Sequence, residues 1–179
     1  MARLILLGAG AARSPRFAPA GLLVEYGRTR VGIDGGAGSE PPGTADAWLV
    51  RDDAPHPDLL RIARETGMCE PAAAPFRHGP LRVDPVPVGG GLYGYRIAAG
   101  RHTAIWAPEH TAFPRWAEGA DLVFSGPGAG IAETAGAARR LKVRRLVFVL
   151  LDETVSGMLD AGRDPPFGEW GEEGGRYRM

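Results

Sequence analysis

Short apolar runs separated by glycine are the feature that most restricts the fold of this 179-residue chain. Most runs have the length of one strand and are too short for a helix, and glycine-rich turns follow many of them. Gly27-Arg28-Thr29 separates two such runs and predicts a tight hairpin. We predict seven strands before the last third of the chain, at 4–7, 22–26, 30–34, 46–50, 81–88, 93–98 and 102–106. The last three form an antiparallel meander.

The last third of the chain alternates strands with helices. Strands are predicted at 121–124 and 145–150 with a helix at 131–141 between them, an order that predicts a parallel pair of strands. Further helices are predicted at 57–66 and 154–161, with a short helical piece at 114–118 and a polar tail at the end of the chain. Antiparallel strands followed by alternating elements indicate an α+β fold with helices on the outer faces of the sheets.

The composition excludes several classes of protein. The chain most simply forms one domain, spanning 1–179, and is long enough to bury a core without disulfides. Its 27 glycines and 16 prolines have no period, which argues against a collagen-like or low-complexity chain. The 21 basic and 21 acidic residues balance, so nucleic acid and anionic membranes have no general electrostatic attraction to it. A lone cysteine, Cys69, and an N-terminal apolar run too short for a signal peptide favour a cytoplasmic protein.

The glycine turn after the first strand does not predict a nucleotide site. Gly8-Ala9-Gly10 follows a strand as a dinucleotide-binding loop does, but Arg13 stands at the third glycine of that pattern. Ser14-Pro15-Arg16 does not continue as the start of an apolar helix. We expect no cofactor, and one divalent metal ion if any is bound.

A polar turn follows the strand at 46–50 and leads into the predicted helix. It offers two adjacent carboxylates, Asp52 and Asp53, and one imidazole, His56. A zinc cluster built from a single loop normally presents several histidines at close spacing. The turn therefore has the position of a metal site without the ligands of one.

Several segments, read in order, carry a family resemblance. They are Leu6-Leu7-Gly8-Ala9-Gly10, Leu22-Leu23-Val24-Glu25-Tyr26-Gly27, Val31-Gly32-Ile33-Asp34-Gly35-Gly36-Ala37-Gly38, Asp46-Ala47-Trp48-Leu49-Val50 and Gly119-Ala120-Asp121-Leu122-Val123-Phe124. Together they resemble the metallo-β-lactamase superfamily, most closely its ribonuclease-Z-like and phosphodiesterase-like branches. The resemblance covers most of the chain and implies a four-layer αββα sandwich, here with the loops around the active site trimmed.

The zinc-binding motif of that superfamily is replaced here. In the family, the strand corresponding to 47–50 is followed by a His-x-His-x-Asp-His run that holds a zinc pair, which supplies hydroxide at neutral pH. The residues at these positions are Asp52, Asp53, Ala54, Pro55, His56 and Pro57. The other ligand positions carry Gly89-Gly90-Gly91, Pro108-Glu109 and Leu150, and Ser125-Gly126 replaces a common His-Glu pair.

These replacements imply that the zinc site and the hydrolase activity have been lost. The chain would then be a pseudoenzyme that binds a ligand or has a structural role. The alternative is a hydrolase of phosphodiester or similar ester bonds, related to phosphodiesterases or ribonucleases, with a rebuilt single-metal site rich in carboxylates.

The remaining acidic residues and histidines are the candidates for any surviving chemistry. The catalytic candidates, if the protein is active, are Asp34, Asp52, His56, Glu109 and His110. The fallback metal ligands are Asp52, His56, Glu109 and Asp152. Such an oxygen-rich set suits magnesium, manganese or calcium better than zinc. Structural interpretations compete: Asp34 can cap a turn, and Asp52 and Asp53 can close their own turn and favour the N-terminus of the next helix.

A basic cluster lies at the C-terminal end of the helix predicted at 131–141. Its residues are Arg139, Arg140, Lys142, Arg144 and Arg145. Cations near a helix C-terminus oppose the helix dipole favourably, which explains the cluster without a partner. An RNA contact is the alternative. We expect no membrane contact, and a homo-oligomer remains an alternative to a monomer.

Overall fold

The computed structural model describes residues 1 to 179 and contains two β-sheets. The strands of the first sheet are β1 (Arg3–Gly8), β2 (Gly21–Tyr26), β3 (Thr29–Asp34), β4 (Ala47–Leu49) and β12 (Arg176–Arg178). Their spatial order is β12-β1-β2-β3-β4, and every pair is antiparallel except β3 with β4. The hairpin predicted around Gly27 joins β2 to β3.

The second sheet has seven strands. They are β5 (Phe76–His78), β6 (Leu81–Gly89), β7 (Leu92–Ala99), β8 (His102–Ala107), β9 (Leu122–Ser125), β10 (Leu146–Phe148) and β11 (Glu169–Trp170). Their order is β11-β10-β9-β8-β7-β6-β5, antiparallel from β5 to β8 and parallel from β8 to β11. The predicted meander and the parallel pair of strands therefore belong to one sheet.

Three α-helices and one short 3₁₀ turn complete the fold. The helices are α1 (Pro57–Thr66), α2 (Ile131–Arg140) and α3 (Glu153–Asp160), and the 3₁₀ turn is Arg115–Ala117. Helix α1 has the predicted bounds and ends at Gly67, whose φ of 71° is favourable for glycine. None of these helices combines the length and the apolar character that crossing a membrane requires.

The main core lies between the two sheets. Alternate residues of β1, such as Leu4 and Leu6, are fully buried, and they belong to one apolar cluster with Ile97 and Phe124 of the second sheet. The rings of Phe124 and Tyr177 meet edge to face across this layer, 5.1 Å apart. A smaller cluster joins α1 to Trp48 of β4. Two mixed sheets with helices packed against them confirm the predicted α+β sandwich.

The structure differs from the sequence prediction mainly in three short strands. We predicted no strand at β5 or β11, and the tail that contains β12 was predicted to be merely polar. Tyr177 is buried while its two arginine neighbours are exposed, a pattern of period two that is too short to be distinctive. β12 forms because it pairs with β1 at the other end of the chain, which no local pattern reveals.

Candidate functional site

A cleft of about 890 Å³ lies where several strands of both sheets end. Its walls include Gly10 after β1, Asp34 at the end of β3, Arg51 after β4, Glu109 after β8 and Leu150 after β10. The carboxyl ends of strands leave side chains and loop backbone free to converge, which makes such an edge a common place for a ligand. This cleft is therefore the candidate functional site.

Arg51 is the central charged residue of the cleft. Its Nε donates a hydrogen bond to Oδ2 of Asp34, and its Nη1 lies 3.4 Å from Oε2 of Glu109. The Arg51 and Asp34 side chains are only 17% and 10% exposed, whereas that of Glu109 is half exposed. Nη1 is buried and makes no hydrogen bond, so its contact with Glu109 is an ion pair only. A guanidinium thus stands between two carboxylates and retains an unused donor.

The charge of Arg51 is fixed. Burial opposes the charged form, but the carboxylates of Asp34 and Glu109 outweigh that effect and raise the pKa of Arg51 above its usual value. The side chain is therefore a permanent cation at every pH at which the protein folds. It can neutralise a carboxylate or bind an anion, but it cannot act as a base.

Asp34 is held by two tryptophans as well as by Arg51. Its backbone has φ of +55°, a left-handed conformation that aspartate tolerates better than most residues. The indole Nε1 of Trp48 donates to its carbonyl oxygen at 2.7 Å, and the indole Nε1 of Trp106 donates to its Oδ2, also at 2.7 Å. Oδ2 accepts from both Trp106 and Arg51. This degree of support makes Asp34 the most firmly oriented carboxylate of the cleft.

The polar turn after β4 is held by contacts of its own. Asp52 Oδ1 accepts from the backbone N–H of Ala54 at 2.9 Å, and Asp53 accepts from the hydroxyl of Tyr93 at 3.3 Å. The charge of Asp53 raises the pKa of that hydroxyl. His56 Nδ1 accepts from the backbone N–H of the second helical residue at 3.3 Å and caps α1. Asp52 and His56 line the cleft, but both are exposed and have structural partners.

His110 and Asp152 do not line the cleft. Nε2 of His110 lies 2.8 Å from Oγ of Ser125, a fully buried hydroxyl that donates to the carbonyl of Gly126. Burial lowers the pKa of His110, and its Nδ1 has no hydrogen-bond partner. Asp152 accepts from the backbone N–H of Val155 at 3.1 Å and caps α3. Glu109 and His110, although adjacent in sequence, therefore serve different parts of the molecule.

The donor set does not fit the zinc pair that the resemblance implies. No three side chains among the histidines, cysteines, aspartates and glutamates lie close enough to hold one metal ion. Among the acidic candidates, Asp34 and Glu109 do approach a common point, but the Arg51 guanidinium contacts both of them there. A cation of the chain itself contacts these carboxylates.

Sequence reasoning missed Arg51, Trp48 and Trp106 as parts of the site. Arg51 directly follows a buried strand and precedes the turn that contains Asp52 and Asp53. The available signal was a basic residue immediately beside a set of missing metal ligands. Trp106 gave no signal, because its hydrogen bond to Asp34 spans 72 positions of the chain.

No protein-family model and no curated protein matches this sequence. Solved structures do match it. The metallo-β-lactamase fold protein YhfI from Bacillus subtilis is 14% identical, with a TM-score of 0.71 and coverage of 98% of both chains. The chain therefore has the metallo-β-lactamase fold, as the sequence motifs predicted.

Two further solved structures also match the chain. A diphosphatase of the PhnP family is 16% identical, with a TM-score of 0.71, covering 100% of this chain and 98% of that one. The short form of human tRNase Z is 10% identical, with a TM-score of 0.66 and coverage of 99% of both chains. At these identities the likeness is one of fold.

Proposed function

We propose that this chain is a metallo-β-lactamase-fold protein without hydrolase activity, which binds a ligand in the cleft and uses Arg51 as its fixed cation. The observation that carries the proposal is the Arg51 guanidinium between Asp34 and Glu109. A metal centre at this point would need both carboxylates, and the guanidinium already pairs with each of them.

The two carboxylates at the centre of the cleft are not free to act as a general base. Glu109 is paired with Arg51, and Asp34 accepts hydrogen bonds from Arg51 and Trp106. His110 is directed toward Ser125 and does not line the cleft. Activation of a water molecule requires either a metal ion or a base within hydrogen-bond reach. The paired residues of this cleft favour binding over hydrolysis.

Arg51 also suggests how a ligand would be held. The Arg51 side chain is 17% exposed and lines the cleft, so an oxygen atom of a ligand can approach the exposed part of its guanidinium. The ligand we propose is a small molecule with a carboxylate, phosphate or carbonyl oxygen that contacts the Arg51 guanidinium.

Metal analysis, melting and turnover test the loss of hydrolase activity. Protein purified without chelator should contain no stoichiometric metal, and its melting temperature should not respond to manganese or zinc. It should also leave a generic phosphodiester, bis(p-nitrophenyl) phosphate, intact. Stoichiometric metal together with metal-dependent turnover would instead establish the single-metal hydrolase and overturn the proposal.

Nuclear magnetic resonance tests the binding role directly. The four tryptophans should give separate indole N–H signals, and two of these N–H groups donate hydrogen bonds to Asp34. Among small carboxylates and phosphates, a ligand of the cleft should move the signals of Trp48 and Trp106 selectively. The Arg51→Lys variant keeps the charge but loses the guanidinium fork, so it should bind that ligand more weakly. Equal binding by the wild-type protein and the variant would show that the Arg51 guanidinium does not contact the ligand.

A further inference from the structure

A row of charged side chains crosses the first sheet at the end opposite the cleft. Arg178 pairs directly with Arg3, Arg3 with Glu25, and Glu25 with Arg30, on the four adjacent strands β12, β1, β2 and β3. Residues directly opposite each other in a sheet point to the same face. Arg28, in the turn between β2 and β3, lies beside the row. These five side chains line a pocket of about 600 Å³, which we call the arginine pocket.

The arginine pocket has more positive charge than its single lining carboxylate, Glu25, neutralises. Glu25 is shared by two guanidinium groups, that of Arg3 at 3.4 Å and that of Arg30 at 3.3 Å. Arg28 and Arg178 form no ion pair with any carboxylate. Arg3 and Arg178 are direct cross-strand neighbours, and like charges in that arrangement destabilise a sheet. The sheet therefore carries an unfavourable charge arrangement that an anion would relieve.

The basic cluster at 139–145 is different in this respect. Arg144 pairs with Asp121 at 2.9 Å, and Arg145 pairs with Glu169 at 2.7 Å. Arg139 donates to the carbonyl of Pro166. Two of the five cations that sequence reasoning considered for RNA are thus ion-paired, and a third donates to a carbonyl. In the arginine pocket, by contrast, a single carboxylate serves four guanidinium groups.

We propose that the arginine pocket binds an anion that carries two or more phosphate groups. A guanidinium fork matches two oxygens of a phosphate, and its planar donors are well suited to this contact. Neighbouring strands lie about 4.8 Å apart, so the row from Arg178 to Arg30 extends over about 14 Å. This length and the pocket volume exceed what one phosphate group would occupy, whereas a polyphosphate chain can contact Arg178, Arg3 and Arg28 together.

This site is independent of the cleft. β1 begins at Arg3 in the arginine pocket and ends at Gly8 beside the cleft, so the two are separated by the length of a strand. Failure of the Arg51 proposal would leave the inference about the arginine pocket intact.

Calorimetric titration with inorganic triphosphate tests the proposal. At low salt the wild-type protein should bind triphosphate, and the double variant Arg28→Gln/Arg178→Gln should bind about tenfold more weakly or not at all. The matched control is Arg144→Gln/Arg145→Gln, which removes the same charge from residues that are already paired. Its affinity should stay within about twofold of wild type. Melting curves of both variants show whether each is folded.

Three outcomes would overturn the inference. The first is no binding of triphosphate by the wild-type protein. The second is an equal loss in both double variants, which would show an effect of net charge alone. The third is binding of a single-stranded RNA oligomer far tighter than triphosphate, which would show a nucleic-acid surface instead. A parallel titration with adenosine triphosphate identifies the source of the phosphates: equal affinity indicates a free polyphosphate, and tighter binding a nucleotide.

Discussion

Replacement of Arg51 by methionine tests the ion pair that organises the cleft. Methionine keeps an unbranched apolar stem and removes the guanidinium. Asp34 then retains one side-chain donor, the indole of Trp106, on a carboxylate that is only 10% exposed. The lost hydrogen bond to a charged group contributes about 1.5–3 kcal/mol. The lost ion pair with the half-exposed Glu109 contributes about 0.2–1 kcal/mol more, so the unfolding free energy should fall by about 2–4 kcal/mol.

A double-mutant cycle separates the charge from the packing. The four proteins are the wild type, Arg51→Met, Asp34→Asn and the double variant, each unfolded in urea. Asparagine tolerates the left-handed backbone at position 34 and still accepts from Trp106, so it removes the charge alone. The double variant leaves no buried carboxylate unpaired, and its loss should be at least about 1.5 kcal/mol smaller than the sum of the single losses. Losses that add to within about 0.5 kcal/mol would refute the reasoning.

Three further predictions concern single residues. Burial lowers the pKa of His110, so the unfolded chain takes up a proton first as the pH falls below about 6.5, and the unfolding free energy should fall there. His110→Gln should flatten this pH dependence in urea titrations. An equal dependence of the unfolding free energy on pH in both proteins would contradict the prediction. Gly32→Ala should destabilise the protein by about 1–3 kcal/mol or more, because the added Cβ would lie 2.1 Å from the ring of Pro41. The control Gly43→Ala should melt like wild type, because its Cβ would make only an ordinary 3.8 Å contact with the backbone oxygen of Thr66. Trp106→Phe should lower stability by about 1–3 kcal/mol through the lost donor to Asp34, and an unchanged melting curve would argue against that bond.

Local patterns were sufficient for much of the fold. The hairpin around Gly27, the meander and helix α1 depend on residues close together in sequence, and each was predicted near its observed bounds. The resemblance then supplied the arrangement of the two sheets. β12 could not be found in the same way, because three residues carry too little pattern and the partner strand lies at the other end of the chain.

The site was less accessible to sequence reasoning than the fold. Asp34, Asp52, His56 and Glu109 were named from the sequence, and all four line the cleft. Their partners could not be named, since the contact between Arg51 and Asp34 depends on how β3 and β4 lie side by side. Asp34 was interpreted as a turn cap or a relic of metal chemistry, and its backbone strain and indole donors appear only in three dimensions.

Helix caps explain two of the remaining candidates in physical terms. His56 and Asp152 each precede a helix and accept from a backbone N–H in its first turn. The sequence predicted that acidic residues near α1 favour its N-terminus through the helix dipole, but it assigned both His56 and Asp152 to a fallback metal set. Because a helix leaves its first N–H groups without internal partners, capping is sufficient to explain a polar residue at that position without a metal ion.

Arg51 also determines how the cleft responds to its surroundings. A metal ion exchanges with the solution, so a chelator can remove it, a competing ion can displace it, and scarcity can leave the site empty. A guanidinium is part of the chain, so folding alone places it in the cleft. A ligand that depends on Arg51 would therefore bind with the same affinity in metal-rich and metal-depleted conditions, and only its own concentration would control occupancy.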